Sequence, residues 1–74
     1  MQKKLLVLAA GILQVPVIKK AKEMGIYVIA ADGDPDAVGL KYADKAIVVN
    51  ITSEKDVLKV AREEKIDGVI HPCS

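Results

Sequence analysis

Four short apolar runs divide the chain, and each is continuous rather than alternating with polar residues. They cover residues 5–9, 27–31, 46–49 and 68–70 and consist mainly of Val, Ile, Leu and Ala. Continuous runs of this kind are typical of strands that are buried on both faces, as in parallel sheets. The pattern therefore predicts four strands of a mostly parallel sheet.

The segment between the first two runs has the spacing of a helix. Its apolar positions lie three or four residues apart, and they are Val17, Ile18, Ala21 and Met24. Pro16 fits a helix only in the first turn, where its missing N–H has no intrahelical partner. We expect this helix to begin within a few residues of Ile12 and to end before Gly25, which adopts the left-handed conformation without penalty.

A second helix is predicted over residues 54–65. Ser53 is a good N-cap, and Asp56, three residues later, completes a pair that resembles a capping box. The stripe predicted to face the sheet consists of Val57, Leu58 and Ala61.

Strands and helices alternate, which predicts an α/β fold with an open, partial doubly wound parallel sheet and two main helices. Right-handed crossovers between neighbouring strands give the strand order 3-2-1-4, with the switch point between strands 1 and 4. Ligands of such sheets bind beyond the carboxyl ends of the strands at this point. Strand 4 would be left half-covered, so we expect residues 1–74 to form a single domain truncated at its C-terminus, with some self-association.

Composition narrows the classes of partner. Eleven basic and ten acidic residues give a net charge of +1, which provides no electrostatic footprint for nucleic acid. The single cysteine allows no internal disulfide and is compatible with the cytoplasm. The first apolar run is too short for a signal peptide or a membrane span. We therefore expect a cytoplasmic protein that binds neither nucleic acid nor membrane.

The turn after the first strand is the first candidate site. In the dinucleotide fingerprint G-x-G-x-x-G, the glycine positions would fall on Ala9, Gly11 and Gln14, so two of the three glycines are absent. Two interpretations of Gly11 stay open at this point. It allows close backbone approach of a phosphate or carboxylate, or it serves only a tight turn between strand and helix.

Asp32 is the second candidate, because it follows Gly11 by about 20 positions, where a Rossmann domain binds a ribose hydroxyl. The segment 32–36, Asp-Gly-Asp-Pro-Asp, also consists of residue types that favour turns. It lacks the remaining positions of a calcium loop, so a turn or substrate rim is favoured over a metal site. The stretch from His71 to Ser74 contains one His and one Cys, which is too few for a zinc site, and no third group to orient a catalytic pair. No catalytic residue and no metal ligand is predicted.

These motifs together resemble a known family. The segment LLVLAAGILQVPVIKKAKEMG (5–25) is similar to the first strand, turn and helix of the ATP-grasp carboxylate–amine ligases. The same layout continues with an Asp-x-Asp-Pro turn at Asp32, an Ala-Asp pair before strand 3 and Asp-Gly-Val-Ile at strand 4. The resemblance spans essentially the whole chain and indicates the N-terminal pre-ATP-grasp domain, a Rossmann-like half. Ala9 departs from the pattern, because many relatives carry glycine there.

In this family ATP converts a carboxylate into an acyl phosphate, which an amine or ammonia then attacks. The resemblance implies that ATP and magnesium are held by later domains, and that this chain binds no cofactor and is inactive alone. It implies partners in the remaining ATP-grasp domains of the parent chain, a small-molecule substrate and, through contacts between subunits, a second copy in a homodimer. Carried over by position, the substrate-binding wall would consist of Gly11, Ile12, Leu13, Gln14, Asp32, Pro72, Cys73 and Ser74.

Two other hypotheses remain beside the ligase segment. One is a free-standing Rossmann-like module that binds a nucleotide through Gly11 and Asp32, and the other is an oligomerisation domain. Within this fold the choice of acceptor substrate depends on loops and domains outside the chain, so the fold alone does not fix it.

Overall fold

The structure, a computed structural model, describes residues 2–71. Four strands and two α-helices alternate along this part of the chain, as the apolar pattern predicts. They are β1 (Lys4–Leu8), α1 (Val15–Glu23), β2 (Tyr27–Asp32), β3 (Lys45–Val48), α2 (Glu54–Glu64) and β4 (Gly68–Ile70). Two 3-10 helices, Ile12–Gln14 and Val38–Tyr42, lead into α1 and β3 respectively. Neither α-helix of the described part is long and apolar enough to cross a membrane.

The sheet has the order β3-β2-β1-β4, and all three pairings are parallel. The predicted order is therefore confirmed. β1 lies at the centre, with Leu6 beside Ile29 of β2 and Val69 of β4. Because β1 is bonded on both edges and covered on both faces, it fixes the positions of its two neighbours.

Two apolar layers cover the sheet. On one face, α1 and the second 3-10 helix pack on a cluster of buried residues, which are Val7, Ala10, Ile18, Ala21, Val28, Ala30 and Leu40. On the other face, α2 packs on a second cluster formed by Leu6, Leu8, Ile29, Ala31 and Val60. Aliphatic side chains of β1 and β2 alternate between the two clusters, which explains why these runs are continuously apolar.

Two aspartates join neighbouring strands at the amino edge of the sheet. The N–H of Asp44 donates to the carbonyl of Val28 at 2.9 Å, and its carboxylate accepts the Val28 N–H at 2.8 Å. Asp67 forms the same two bonds with Lys4, each 2.8 Å long. These are the aspartates of the Ala-Asp and Asp-Gly-Val-Ile motifs. Each therefore serves as a two-point connection between strands.

The helix ends follow the predicted signals. Pro16 lies in the first turn of α1, and Gly25, just past its end, has φ +80°. The Ser53 side chain caps α2 by accepting the Asp56 N–H at 3.3 Å. Lys65, which follows α2, adopts the left-handed region at φ 54°, where glycine is the usual residue.

The predicted burial of two helical residues is wrong. Met24 is 66% exposed, because it lies beside Val17 and Ala21 over an apolar surface that no element within residues 2–71 covers. Leu58 is 50% exposed and lies among the charged residues of the outer face of α2. The stripe facing the sheet is centred on Val60, which the sequence prediction missed.

The outer strand β3 is tied to the end of α2 by an ion pair. Lys45 Nζ lies 2.7 Å from Glu64 Oε2, and Glu64 is the more buried of the two partners. The hydrogen bond and the negative charge of Glu64 raise the pKa of Lys45 above its ordinary value. A charged lysine on an outer strand also opposes unwanted pairing with other strands.

The two layers leave an apolar groove beside β4. This α1–β4 groove has a volume of about 550 Å³. Its lining consists of Leu5, Pro16, Val17, Lys20, Ala21, Met24, Ile26 and Ile70. On the opposite face of β4, Val69 is 49% exposed. Strand 4 is therefore only partly covered, as expected from the sequence.

The two-point connections predict a loss of stability when a carboxylate is removed. We expect Asp44→Ala and Asp67→Ala each to lower the free energy of unfolding by about 1–2 kcal/mol, because a backbone N–H loses a charged acceptor. Urea denaturation would measure this. Asp36→Ala is the matched control, since no hydrogen bond from residues 2–71 is found to its carboxylate, and a change within about 0.5 kcal/mol is expected. Equal losses in all three variants would contradict the assignment.

Candidate functional site

The residue that follows β1 has an unusual backbone conformation. Ala9 has φ 73°, in the left-handed region that alanine rarely enters. This conformation costs roughly 1–2 kcal/mol for a residue with a Cβ. The Ala9 N–H donates to the carbonyl of Ala31 at 2.8 Å, so the strained residue is still joined to β2. The left-handed bend turns the chain out of the sheet at its carboxyl edge.

The next residue is held from two sides. Asp32 Oδ2 accepts the N–H of Ala10 at 2.8 Å, and the carbonyl of Ala10 accepts the N–H of Gly39 at 2.7 Å. Ala10 itself is fully buried. A Cβ at Gly39 would lie 2.6 Å from the Ala10 oxygen, so this approach requires glycine. We call these two hydrogen bonds the Ala10 clamp.

Gly11 lies at the surface immediately after the clamp. Its φ of −69° and ψ of 176° are available to any residue, and a Cβ added to it would meet no atom within 4 Å. Neither the backbone nor the packing within the described chain requires glycine here. The conformation therefore gives no support to the tight-turn interpretation, and close approach of a phosphate or carboxylate at Gly11 stays a prediction.

The residues that follow form a short exposed segment at the carboxyl edge. Ile12 is 71% exposed and Leu13 is 82% exposed, although both are large aliphatic residues. Gln14 is half-buried and lies at the N-cap of α1, where its side chain makes no capping hydrogen bond. The structure thus places the four predicted residues of the β1 turn together on one surface, which we call the β1 wall (11–14).

Asp32 is the last residue of β2, and its carboxylate bonds to the backbone on both sides. Besides the Ala10 N–H, it accepts the N–H of Asp34 at 2.9 Å. The carboxylate of Asp34 in turn accepts the N–H of Asp36 at 2.9 Å. These successive Asx turns account for the aspartates in this loop. The Asp32 carboxylate is therefore held at the Ala10 N–H, one residue before the β1 wall, and its contact with a substrate stays a prediction.

Of the segment that follows β4, only His71 is described. His71 is exposed and follows β4, which ends beside β1. Pro72, Cys73 and Ser74 lie outside the described residues.

The carboxyl edge does not have the composition of a triphosphate site. Segments 9–14, 32–38 and 49–53, which follow the first three strands, contain no lysine or arginine. Within residues 2–71, no group of three or more His, Cys, Asp or Glu side chains could hold a metal ion. Among residues 2–71, these three segments thus offer no lysine or arginine side chain for phosphates, and no cluster of metal ligands is found.

Sequence reasoning missed two residues of this region. Ala10 carries no chemical signal, because its role depends on its peptide groups alone. Gly39 does carry one, since a glycine inside an otherwise apolar stretch indicates close backbone approach. Its partner could not be derived without the fold.

The known proteins that are similar to this chain in structure and in sequence belong to one class of enzyme. No protein-family profile matches the chain. The fold is that of a glycinamide-RNase-transformylase T from Mycobacterium tuberculosis, with a TM-score of 0.89 at 22% identity over 96% of this chain and 20% of that chain. Phosphoribosylglycinamide synthetase from Anaerococcus prevotii aligns over 100% of this chain and 19% of its own, with a TM-score of 0.88 and 33% identity.

Two curated proteins are similar to this chain in sequence. The formate-dependent phosphoribosylglycinamide formyltransferase of Methanocella arvoryzae is 34% identical over 67 residues, 90% of this chain. The enzyme of the same name from Prochlorococcus marinus is 32% identical over 69 residues, 93% of this chain. The chain spans less than a fifth of these curated relatives, 16% and 18% of their lengths. These matches confirm the resemblance to the pre-ATP-grasp domain of ATP-grasp enzymes.

The left-handed conformation of Ala9 predicts an unusual gain from glycine. We expect Ala9→Gly to raise the free energy of unfolding by about 1 kcal/mol, because glycine enters this region without a Cβ clash. Urea denaturation would measure the change. Ala61→Gly is the opposite control, because glycine inside α2 should cost about 1 kcal/mol. A loss of stability in Ala9→Gly would be incompatible with the positive φ.

Proposed function

We propose that this chain forms the acceptor-substrate side of an ATP-dependent ligase and has no catalytic activity alone. In the proposed reaction, ATP phosphorylates a carboxylate, and an amine or ammonia displaces the phosphate from the acyl phosphate. The observation that carries the proposal is Gly11, a surface glycine that nothing within the described chain requires. The similarity to ligases and transformylases over nearly the whole chain supports it.

The β1 wall would provide backbone groups and an apolar surface for the acceptor substrate. Gly11 would allow the substrate to approach the main chain, and Ile12 and Leu13 would pack against it or against a neighbouring domain. Asp32 would support this wall from β2, and Pro72, Cys73 and Ser74 would contribute from the segment after β4. ATP and magnesium would be held by the remaining ATP-grasp domains of a longer parent chain, because this edge has no cation for the phosphates.

The names of the relatives support one class of acceptor. The enzymes from Methanocella arvoryzae and Anaerococcus prevotii are both named for phosphoribosylglycinamide. We therefore favour an amine carried on a ribose phosphate as the acceptor of the parent ligase. Such metabolites are cytoplasmic, and a chain with one cysteine and nearly balanced charge is compatible with that location.

The proposal is tested by the size and activity of the native protein. An antibody against this segment should detect, in the source cells, a polypeptide several times larger than 7.9 kDa. That polypeptide should release ADP from ATP when carboxylate and phosphoribosyl amine are both supplied. The purified 74-residue chain should release none above background, because it contributes only one wall. A native product of 7.9 kDa, or rapid ATP hydrolysis by the short chain, would refute the proposal.

The α1–β4 groove supports self-association as a second candidate function of the isolated chain. Met24 is exposed there and Ile70 is half-buried, and a second copy could cover this apolar surface. We expect a concentration-dependent dimer by light scattering. Met24→Lys should weaken it at least about tenfold, because a charge would have to be buried. Leu58→Lys, on the outer face of α2, is the matched control and should leave it unchanged. A monomer at millimolar concentration would exclude this candidate.

A further inference from the structure

We propose that Asp32 and Gly39 are positioning residues, which fix the direction of the β1 wall by holding the Ala10 clamp, and that Asp32 does so instead of contacting the substrate. The consequence for substrate binding rests on the proposed function. The clamp itself is a property of the ligand-free chain. The two statements can therefore fail separately.

The two hydrogen bonds of the clamp and the hydrogen bond of the Ala9 N–H lie on consecutive peptide groups. The Ala9 N–H bonds to Ala31, the Ala10 N–H bonds to Asp32, and the Ala10 carbonyl bonds to the N–H of Gly39. These groups belong to three successive peptide planes, from residue 8 to residue 11. With all three planes fixed, the chain has one direction as it enters Gly11.

Asp32 is suited to this task because a carboxylate is an acceptor on both oxygens. Oδ2 accepts from Ala10, and Oδ1 accepts from Asp34. One side chain thus joins the turn after β1 to the turn after β2. An asparagine has a single side-chain oxygen and would direct N–H groups at one of these donors. The geometry therefore requires the acid even without a ligand.

Gly39 supplies the second half of the clamp from the 3-10 helix Val38–Tyr42. Its N–H lies 2.7 Å from the Ala10 oxygen, and a Cβ would also lie 3.2 Å from the Ala10 Cβ. Both residues are buried, so water cannot replace this bond easily. Asp32 thereby connects the wall to the sheet, and Gly39 connects it to the layer that contains α1.

The clamp also explains how Ala9 remains in a strained conformation. A left-handed alanine persists only where the surrounding structure over-determines it. The bonds made by Ala9 and Ala10 provide that restraint at the point where the chain leaves the sheet. Loss of the Asp32 bond would remove the restraint on the C-terminal side of Ala9.

Amide hydrogen exchange of the ligand-free chain, followed residue by residue by NMR, tests the clamp. We expect Asp32→Ala to speed exchange of the Ala10 amide at least about tenfold, because a charge-assisted hydrogen bond is lost. The Tyr27 amide, bonded to the Lys3 carbonyl at the opposite edge, should change much less. Asp36→Asn is the matched control and should leave the Ala10 amide unchanged.

Asp32→Asn provides a second variant with nearly unchanged volume, in case the alanine variant unfolds. In this variant the Ala10 or the Asp34 amide should exchange at least about tenfold faster, because one oxygen cannot replace two. Unchanged exchange at both amides would overturn the proposal. Equal acceleration at Ala10 and Tyr27 would overturn it too, because Asp32 would then support the fold as a whole.

Binding of phosphoribosylglycinamide to the native polypeptide that carries this segment, measured by titration calorimetry, separates positioning from contact. If Asp32 positions the wall, Asp32→Asn weakens binding of phosphoribosylglycinamide and of its analogue without ribose hydroxyls by the same factor. A loss seen only with the hydroxylated ligand would show direct contact and overturn the positioning role. If the wild type binds neither ligand while exchange shows the clamp, the proposed acceptor class fails and the clamp stands.

Discussion

Carboxylates that accept backbone N–H groups hold the strands of this sheet together at their ends. Asp44 and Asp67 do so at the amino edge, where each joins two neighbouring strands. Asp32 does so at the carboxyl edge, where it joins the turns after β1 and β2. Short parallel strands have few ladder bonds of their own. The three aspartates therefore define the register and the edge from which the β1 wall projects.

The fold could be predicted from local signals because they agree with one another. The structure contains the elements that were predicted from the continuous apolar runs, from Pro16 in a first turn and from the Ser53 cap. The handedness of the crossovers predicted the strand order. The errors at Met24 and Leu58 have one origin. Periodicity identifies a helix, but how far the sheet and the neighbouring elements extend beneath it decides which apolar residues are covered.

The candidate site was only partly predictable for a different reason. Gly11 and Asp32 belong to residue types associated with ligand sites, so the sequence identified them. Ala9 in a left-handed conformation contradicts the preference of alanine, and no local rule would place it there. The clamp joins the main-chain groups of Ala10 to the carboxylate of Asp32 and to the main chain of Gly39. Sequence patterns describe side chains, so contacts of this kind become visible only once the strands are assembled.

The central position of β1 has a consequence for synthesis of the protein. Its partner β2 follows after one helix, but its other partner, β4, is the last strand, and the Lys4–Asp67 bond spans 63 residues. During translation β1, α1 and β2 can assemble early, while the far edge of β1 stays open until β4 has left the ribosome. Until residues 68–70 have emerged, the nascent chain thus exposes an unpaired edge of β1, which is a template for wrong pairing with other chains.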